Sequence, residues 1–498
     1  MENVEPKVLK RTLLHLLSIS IVSFGGVPSD IGSAIVKVYT VVKTPDYITP
    51  WSSSVGRVTG SGFLISGERI LTNAHVVANS TYIEVQKYGE RRRYGAYVEA
   101  VSHQLDLALL KVKRREFYRG MHPLQPGGLP RRGDKVSVYG FPIGGDTMSV
   151  TTGIVSRMEH QLYVHSGEHF LSIQIDAAVN PGNSGGPAIS KGKFVGVVMQ
   201  SIGKGQNISY LIPTVLVKHF LTDISDGKLD GSPSPGIVTQ NLENPSIKRL
   251  YGVREDIGGI VVERIIAGSS LDEILKKGDI VLSIDGHDIE NDASAPIGDR
   301  EYTDYEYYAE IKQLGESVSL KILREGREIT VDMPLLTTAD DLLLVKTLHY
   351  DKMPRYLIYG GFLFTPLTRE LTRKAGGGCP DAGYFSRRLV DRERKEMVIL
   401  LRVLPDATNR GYHDYGCEVI DSVDGAKVKD FEDFGKKILE GKNEYAVITD
   451  IDGIEIVIDR KSAGKVDREI LEKYNIGSWA SPDIEKRLNR ERAHLIEH

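Results

Sequence analysis

One serine in this chain sits in unusual company. From Asn180 to Ala188 the residues read N-P-G-N-S-G-G-P-A, so Ser184 lies among Gly182, Gly185 and Gly186. Glycine costs folding entropy, and such a cluster needs a geometric reason, either a tight turn or a close approach to the main chain. Composition alone suits a surface turn. The same pattern suits a nucleophile loop, in which a bend presents a hydroxyl and bare N–H groups hold an oxyanion. A serine hydroxyl is a poor nucleophile at neutral pH, so that chemistry requires a histidine base and an acid to orient it.

Both partner types stand upstream. His75 lies in L-T-N-A-H-V-V, where an apolar strand ends and a short helix begins. Asp106 lies in H-Q-L-D-L-A-L-L-K-V, one carboxylate at the mouth of an otherwise apolar strand. Singly each has an ordinary explanation: most of the 13 histidines are structural or exposed, and an aspartate often ends a strand. Taken together, a histidine, then an aspartate, then a serine in G-N-S-G-G is the chain order of a catalytic triad carried by two β-barrels. The elements that would position them are short strands with glycine turns: Ile35–Val42, Gly60–Ser66, Ile70–Thr72, Tyr82–Val85, Leu107–Val112, Lys135–Gly140, Ser172–Asp176 and Phe194–Met199. This spacing predicts an all-β sandwich or a pair of barrels.

The motifs G-S-G-F-L-I-S, I-L-T-N-A-H-V-V, D-L-A-L-L-K-V, V-Y-G-F-P-I-G, G-I-V-S and N-P-G-N-S-G-G-P-A follow one another in an order that resembles the HtrA-type (Do-like) serine proteases. The resemblance implies a mainly β protein with a chymotrypsin-like double β-barrel. It implies His75 as general base, Asp106 as its orienting acid and Ser184 as nucleophile. An oxyanion hole from the N–H groups of Gly182 and Ser184, with Asn183 between them, is implied as well. Such a hydrolysis requires no metal and no organic cofactor. Val179, Val198 and Met199 are expected near the primary specificity pocket, and no acidic residue stands where a basic side chain would need one. A preference for small or medium aliphatic residues follows.

Beyond Phe220 the composition shifts. Asp223–Gly236 is rich in Gly, Ser, Pro and Asp and reads as an interdomain linker. After it, Ile265–Gly286 and Val403–Gly425 form a weak internal repeat of small-residue turn, short helix, glycine, apolar strand and acidic-glycine turn. Two generic α+β units would explain it; two domains similar to the PDZ-like domains of HtrA proteins explain it better. PDZ domains add a peptide strand to a sheet edge and cradle its terminal carboxylate on loop N–H groups. The corresponding loops are P-G-I-V, containing Gly236 and Ile237, and Y-G-G-F-L-F, containing Gly361 and Phe362. Ile289–Tyr302, Met353–Thr368 and the helix-forming Glu469–Ile476 are similar to a branch of Do-like proteases known from plant organelles and nuclei. The expected division is a protease domain over 33–222, a linker over 223–235, PDZ-like domains over 236–337 and 353–460, and a helical tail over 461–498.

A chain of 498 residues exceeds what one core usually serves, which fits this division. With a formal net charge of -4 and 26% charged residues, it shows no global pull toward nucleic acid or anionic lipid. The short basic runs Arg91–Arg93 and Lys113–Arg115 read as solvated faces. Cys379 and Cys417 stand at no metal-ligand spacing; pairing and two free core thiols both remain open. Lys7, Lys10 and Arg11 precede the apolar run Leu13–Phe24, which fits a signal peptide over 1–25; an amphipathic helix packed on the first domain is the alternative. Export to a periplasmic or equivalent compartment is therefore expected, with an organelle or the cytosol as the alternative. Family likeness implies an ATP-independent endopeptidase of unfolded or damaged proteins, a homo-trimer or a multiple of it, with C-terminal peptides as candidate ligands of the first PDZ-like domain. A holding chaperone or scaffold that cleaves little is the rival reading.

Overall fold

The computed structural model describes residues 29–488, apart from 144, 146, 202–207, 272, 299, 348, 376–378, 386, 387 and 392. The expected signal peptide and the last ten residues of the expected tail lie outside them. Two closed barrels come first. Strands β1 (Ile35–Pro45), β2 (Ser53–Ile65), β3 (Arg69–Thr72), β4 (Ser80–Lys87), β5 (Arg93–Ser102) and β6 (Leu107–Val112) close in the order β1-β2-β3-β6-β5-β4. Strands β7 (Lys135–Gly140), β8 (Ser149–Leu162), β9 (His169–Ile175), β10 (Pro187–Ser190), β11 (Lys193–Ser201) and β12 (Ser209–Pro213) close in the order β10-β11-β12-β9-β8-β7. Closure removes the free edges that an open sheet of such short strands would expose.

Apolar side chains decide which way each strand faces. Ile35, Val36, Val38, Phe63, Ile70, Leu71, Val85 and Leu107–Leu110 are buried within the first barrel's cluster. The same cluster continues through Phe141, Tyr163, Phe170, Phe194 and Tyr210, so the two barrels share an apolar seam. On its other side, the second barrel's interior runs into the sheet that follows it, with Val155, Leu171 and Ile175 in one cluster with Ile260, Val281 and Leu320.

That following sheet orders its strands as Ile237–Asn241, Ile260–Ile265, Ile280–Ile284, Ser317–Arg324 and Arg327–Pro334, with Ile237–Asn241 at one edge. The stretch 223–235 leading to it is fastened rather than loose. Asp223 accepts the N–H groups of Asp230 and Gly231, Gln104 accepts that of Ser232, and Thr337 O accepts that of Ser234. The last sheet runs Leu357–Tyr359, Phe362–Pro366, Val398–Val403, Glu418–Val423, Tyr445–Asp450 and Glu455–Asp459. Against it packs the helix Phe431–Glu440, which begins where Asp430 accepts the N–H of Asp433 and buries Phe431, Phe434 and Ile438 on one face.

Cys379 and Cys417 pair as a disulfide with Cα atoms 5.2 Å apart and a sequence separation of 38, which resolves the alternative left by the sequence. In the loop-entropy account a closure of this length stabilises by up to roughly 4 kcal/mol. Non-reducing peptide mapping should join the peptides that carry the two cysteines, and Cys379→Ser should lower the melting temperature. Two separately alkylated peptides from the native protein would contradict the pairing.

Candidate active site

The three residues singled out for chemistry come from different elements. Asp106 ends the turn before β6 in a left-handed conformation, φ 54°, which aspartate tolerates better than most side chains. Its carboxylate is fully buried, and it accepts the His75 N–H at 2.8 Å and lies 2.8 and 3.0 Å from His75 Nδ1. His75 sits on the one-turn helix Ala74–Val77, whose neighbours Ala74, Val76 and Val77 are buried. The Asn73 side chain ties the start of this helix to the Asp106 carbonyl at 2.9 Å. The imidazole is thus gripped from its main chain and its ring at once.

This arrangement sets the charges. Burial pushes the His75 pKa down, but the Asp106 carboxylate outweighs it and leaves the group above its ordinary 6.5. Burial pushes Asp106 up, while His75 first, and then His165 and the Tyr163 hydroxyl, pull it further down, so the carboxyl stays ionised. Tyr163 donates its hydroxyl to Asp106 Oδ2 and lies 3.2 Å from His75 Nδ1. Sequence reasoning missed this tyrosine. The available signal was a density of polar rings at the β8–β9 hairpin, with His160, Tyr163, His165 and His169 inside ten residues.

Ser184 is carried by the other barrel, and Ser61 in β2 stitches its loop to the first. Ser61 N–H donates to Ser184 O at 2.8 Å, its hydroxyl donates to Gly182 O at 2.8 Å, and the same hydroxyl oxygen accepts the Phe141 N–H at 2.8 Å. The glycines permit this closeness. A Cβ on Gly185, at φ 83°, would stand 2.2 Å from Ser61 O and 2.4 Å from Thr72 Oγ1. A Cβ on Gly182, at φ 100°, would stand 2.4 Å from Phe141 O. Ile143 N–H holds the Pro181 carbonyl at 2.7 Å, so across that trans peptide the Gly182 N–H faces the opposite way. Asn183 donates its own N–H to Asn180 O, whereas the N–H groups of Gly182 and Ser184 have no partner among the described residues. The Ser184 hydroxyl itself donates to Met199 O at 3.2 Å, not to His75.

The remaining sequence candidates divide. Val198 and Met199 are core residues by their side chains, 0% and 2% exposed, and Met199 meets Ser184 through its carbonyl; Val179 is half-buried beside the second barrel's cluster. Gly236, at φ 69°, precedes Ile237 at the start of the sheet-edge strand, and a cavity of about 420 Å³ lined by Ile237, Val238, Thr239 and Glu310 adjoins it. At the second loop, Gly361 N–H already holds a carboxylate of this chain, Asp467 Oδ1 at 3.0 Å. The edge of the Phe362 strand is likewise filled by Leu357–Tyr359. Among the described residues no cluster of His, Cys, Asp or Glu has the makings of a metal site.

Ser61→Ala removes the acceptor of the buried Phe141 N–H and the donor to Gly182 O, which should cost about 1–3 kcal/mol locally. Faster amide exchange at Phe141 with the barrels still folded is the expected result; unchanged exchange would show that the stitch does not hold the loop.

Residues 60–197 match the trypsin-like peptidase domain, and residues 345–483 match a PDZ domain. Over 406 residues the chain is 37% identical to protease Do-like 4, mitochondrial, of Arabidopsis thaliana, spanning 80% of this chain and 75% of that one. Over 466 residues it is 35% identical to protease Do-like 2, chloroplastic, of the same plant, spanning 91% and 75%. Among solved structures, the HtrA-type protease AlgW with a decapeptide covers 62% of this chain and 96% of its own, at 25% identity and a TM-score of 0.47. With a trypsin-like double barrel, a PDZ domain and relatives matched along most of its length, the chain belongs to the Do-like (HtrA) serine proteases and is a serine endopeptidase.

Proposed function

We propose that Ser184, His75 and Asp106 form the catalytic triad of an ATP-independent endopeptidase that degrades unfolded or damaged proteins. The observation that carries this reading is the fully buried Asp106 carboxylate within 2.8 Å of His75 Nδ1. In that geometry Nδ1 keeps its proton toward Asp106, and Nε2 is left free to take one. Ser184 turns its hydroxyl from Met199 O to His75, loses its proton to Nε2 and attacks a peptide carbonyl. The N–H groups of Gly182 and Ser184 receive the oxyanion. His75 then protonates the leaving amine, and water, deprotonated by the same imidazole, hydrolyses the acyl-enzyme. Asn183 serves by its place between the two donors, since its own N–H is engaged with Asn180. Of the residues expected at a pocket for aliphatic side chains, half-buried Val179 is proposed to shape it, whereas the side chains of Val198 and Met199 lie in the core.

A regulated form of this activity has one observation in its favour: the Ser184 hydroxyl rests on Met199 O. Activation is then a rotation of that hydroxyl with the adjoining main chain. The first PDZ-like unit, with its sheet edge beside a cavity, is proposed to engage C-terminal peptides. The second, whose loop holds Asp467, serves packing or assembly in a homo-trimer or a multiple of it. Relatives named for mitochondria and chloroplasts favour an organelle over the periplasmic compartment expected from the apolar N-terminal run.

Wild type should cleave casein and take a fluorophosphonate label on Ser184, whereas Ser184→Ala should stay folded and lose nearly all of both. Label on another residue would remove the assignment. The pH profile gives an independent check. His75 must be neutral to act as base, and its pKa is raised, so kcat/KM should fall with acidification through a midpoint above 6.5. A midpoint below 6.5 would contradict the charge coupling to Asp106.

A further inference from the structure

Tyr163 lies in the loop joining β8 and β9, on the second barrel, yet its hydroxyl reaches across the seam to the acid–base pair of the first. It donates to Asp106 Oδ2 and lies 3.2 Å from His75 Nδ1, and the residue is 3% exposed. A buried phenol with its hydroxyl on a buried carboxylate is not accounted for by packing alone, since phenylalanine would fill the same space without a polar group to satisfy. We propose that Tyr163 is a positioning residue of the catalytic machinery: it fixes the rotamer of Asp106 and shares the carboxylate's charge, and so sets the orientation and basicity of His75. The inference rests on the triad reading given above.

The surroundings hold the phenol in place. Tyr163 N–H donates to Glu168 O at 2.8 Å, and its carbonyl accepts the Gly167 N–H at 2.7 Å, closing a tight turn. The ring meets Phe170 at 5.6 Å between centroids. Two residues on, His165 stacks on Tyr350 at 3.9 Å, and Tyr350 donates its hydroxyl to His165 O at 2.8 Å. Asp351 pairs with His103 Nε2 at 2.8 Å and accepts the Asn79 N–H, four residues after His75. The segment before the last sheet is therefore a strap across the hairpin that carries Tyr163. The titratable groups facing the Asp106–His75 pair from these elements are Tyr163 and His165 from the hairpin, with His103, Tyr350, Asp351 and Arg373 around His165. Desolvation leaves His165 neutral at ordinary pH, with its pKa lowered to about 4, so Tyr163 is the donor that acts on Asp106 from this side.

Tyr163→Phe in the full chain removes the hydroxyl and keeps the ring. Loss of a hydrogen bond to a charged group predicts a kcat reduced roughly ten-fold, with KM held within about two-fold. With the phenol gone, the Asp106 charge bears more fully on the imidazole, so the acid limb of the rate profile should move to higher pH. Equal kcat and an unmoved limb would overturn the inference, and so would a loss of kcat with the limb unmoved, which marks packing alone. The triad reading is tested separately by Ser184→Ala, whose continued labelling by a fluorophosphonate would sink that reading. In that event Tyr163 is judged on the His75 Nδ1 proton resonance, which must shift in Tyr163→Phe whether or not the protein cleaves anything; an unchanged resonance overturns the inference.

Discussion

A carboxylate with no exposure to water is costly unless charge and hydrogen bonds meet it, and Asp106 is the place where this chain accepts that cost. Its oxygens are met by the His75 main chain, the His75 ring and the Tyr163 hydroxyl. Removing any one would leave a buried charge short of a donor. The left-handed turn at Asp106, the short helix that carries His75 and the second barrel's hairpin all meet at that one group. The imidazole is oriented by the same contacts, so what folding requires of Asp106 coincides with what the proposed general-base chemistry requires.

Ser184 belongs to a different barrel, and its position relative to His75 depends on the seam. Ser61 bonds to Ser184, Gly182 and Phe141, so one small residue registers β2 against the serine loop. The glycines on either side of the serine are needed because the chains approach too closely for a Cβ. Farther out, the cluster shared by the second barrel and the sheet of Ile237–Asn241 joins the double barrel to the unit that follows it, while the strap at Tyr350 and Asp351 reaches the hairpin beside the acid–base pair.

Where a residue type was forced by local chemistry, the sequence could be read. His75, Asp106 and Ser184 stand in short motifs whose flanking residues are dictated by helix start, strand mouth and close approach. The strands at Ile35, Leu107, Lys135 and Phe194 were visible through their apolar, β-branched runs. Strand β5 was not, because arginine, glycine and glutamate interrupt it and one face meets solvent; β8 was not, because only Val155 and Met158 along its length are buried. Tyr163 escaped for another reason: the polar rings around it draw the eye to the hairpin, but its partners are 57 and 88 residues away, and nothing in Q-L-Y-V-H marks them. The occupation of the Gly361 loop by Asp467 escaped for the same cause, a contact between distant segments that only the folded chain creates.

In the proposed triad the charge of Asp106, and not merely its shape, makes His75 a base for Ser184. Asp106→Asn keeps the size of the side chain and removes the charge, so the kinetics of the folded variant separate the two. A kcat lowered on the order of 10⁴-fold, the scale of this exchange in the serine-protease template, together with a His75 pKa below that of the wild type, is the predicted result. Turnover near that of the wild type, in a variant whose fold is intact, would contradict it.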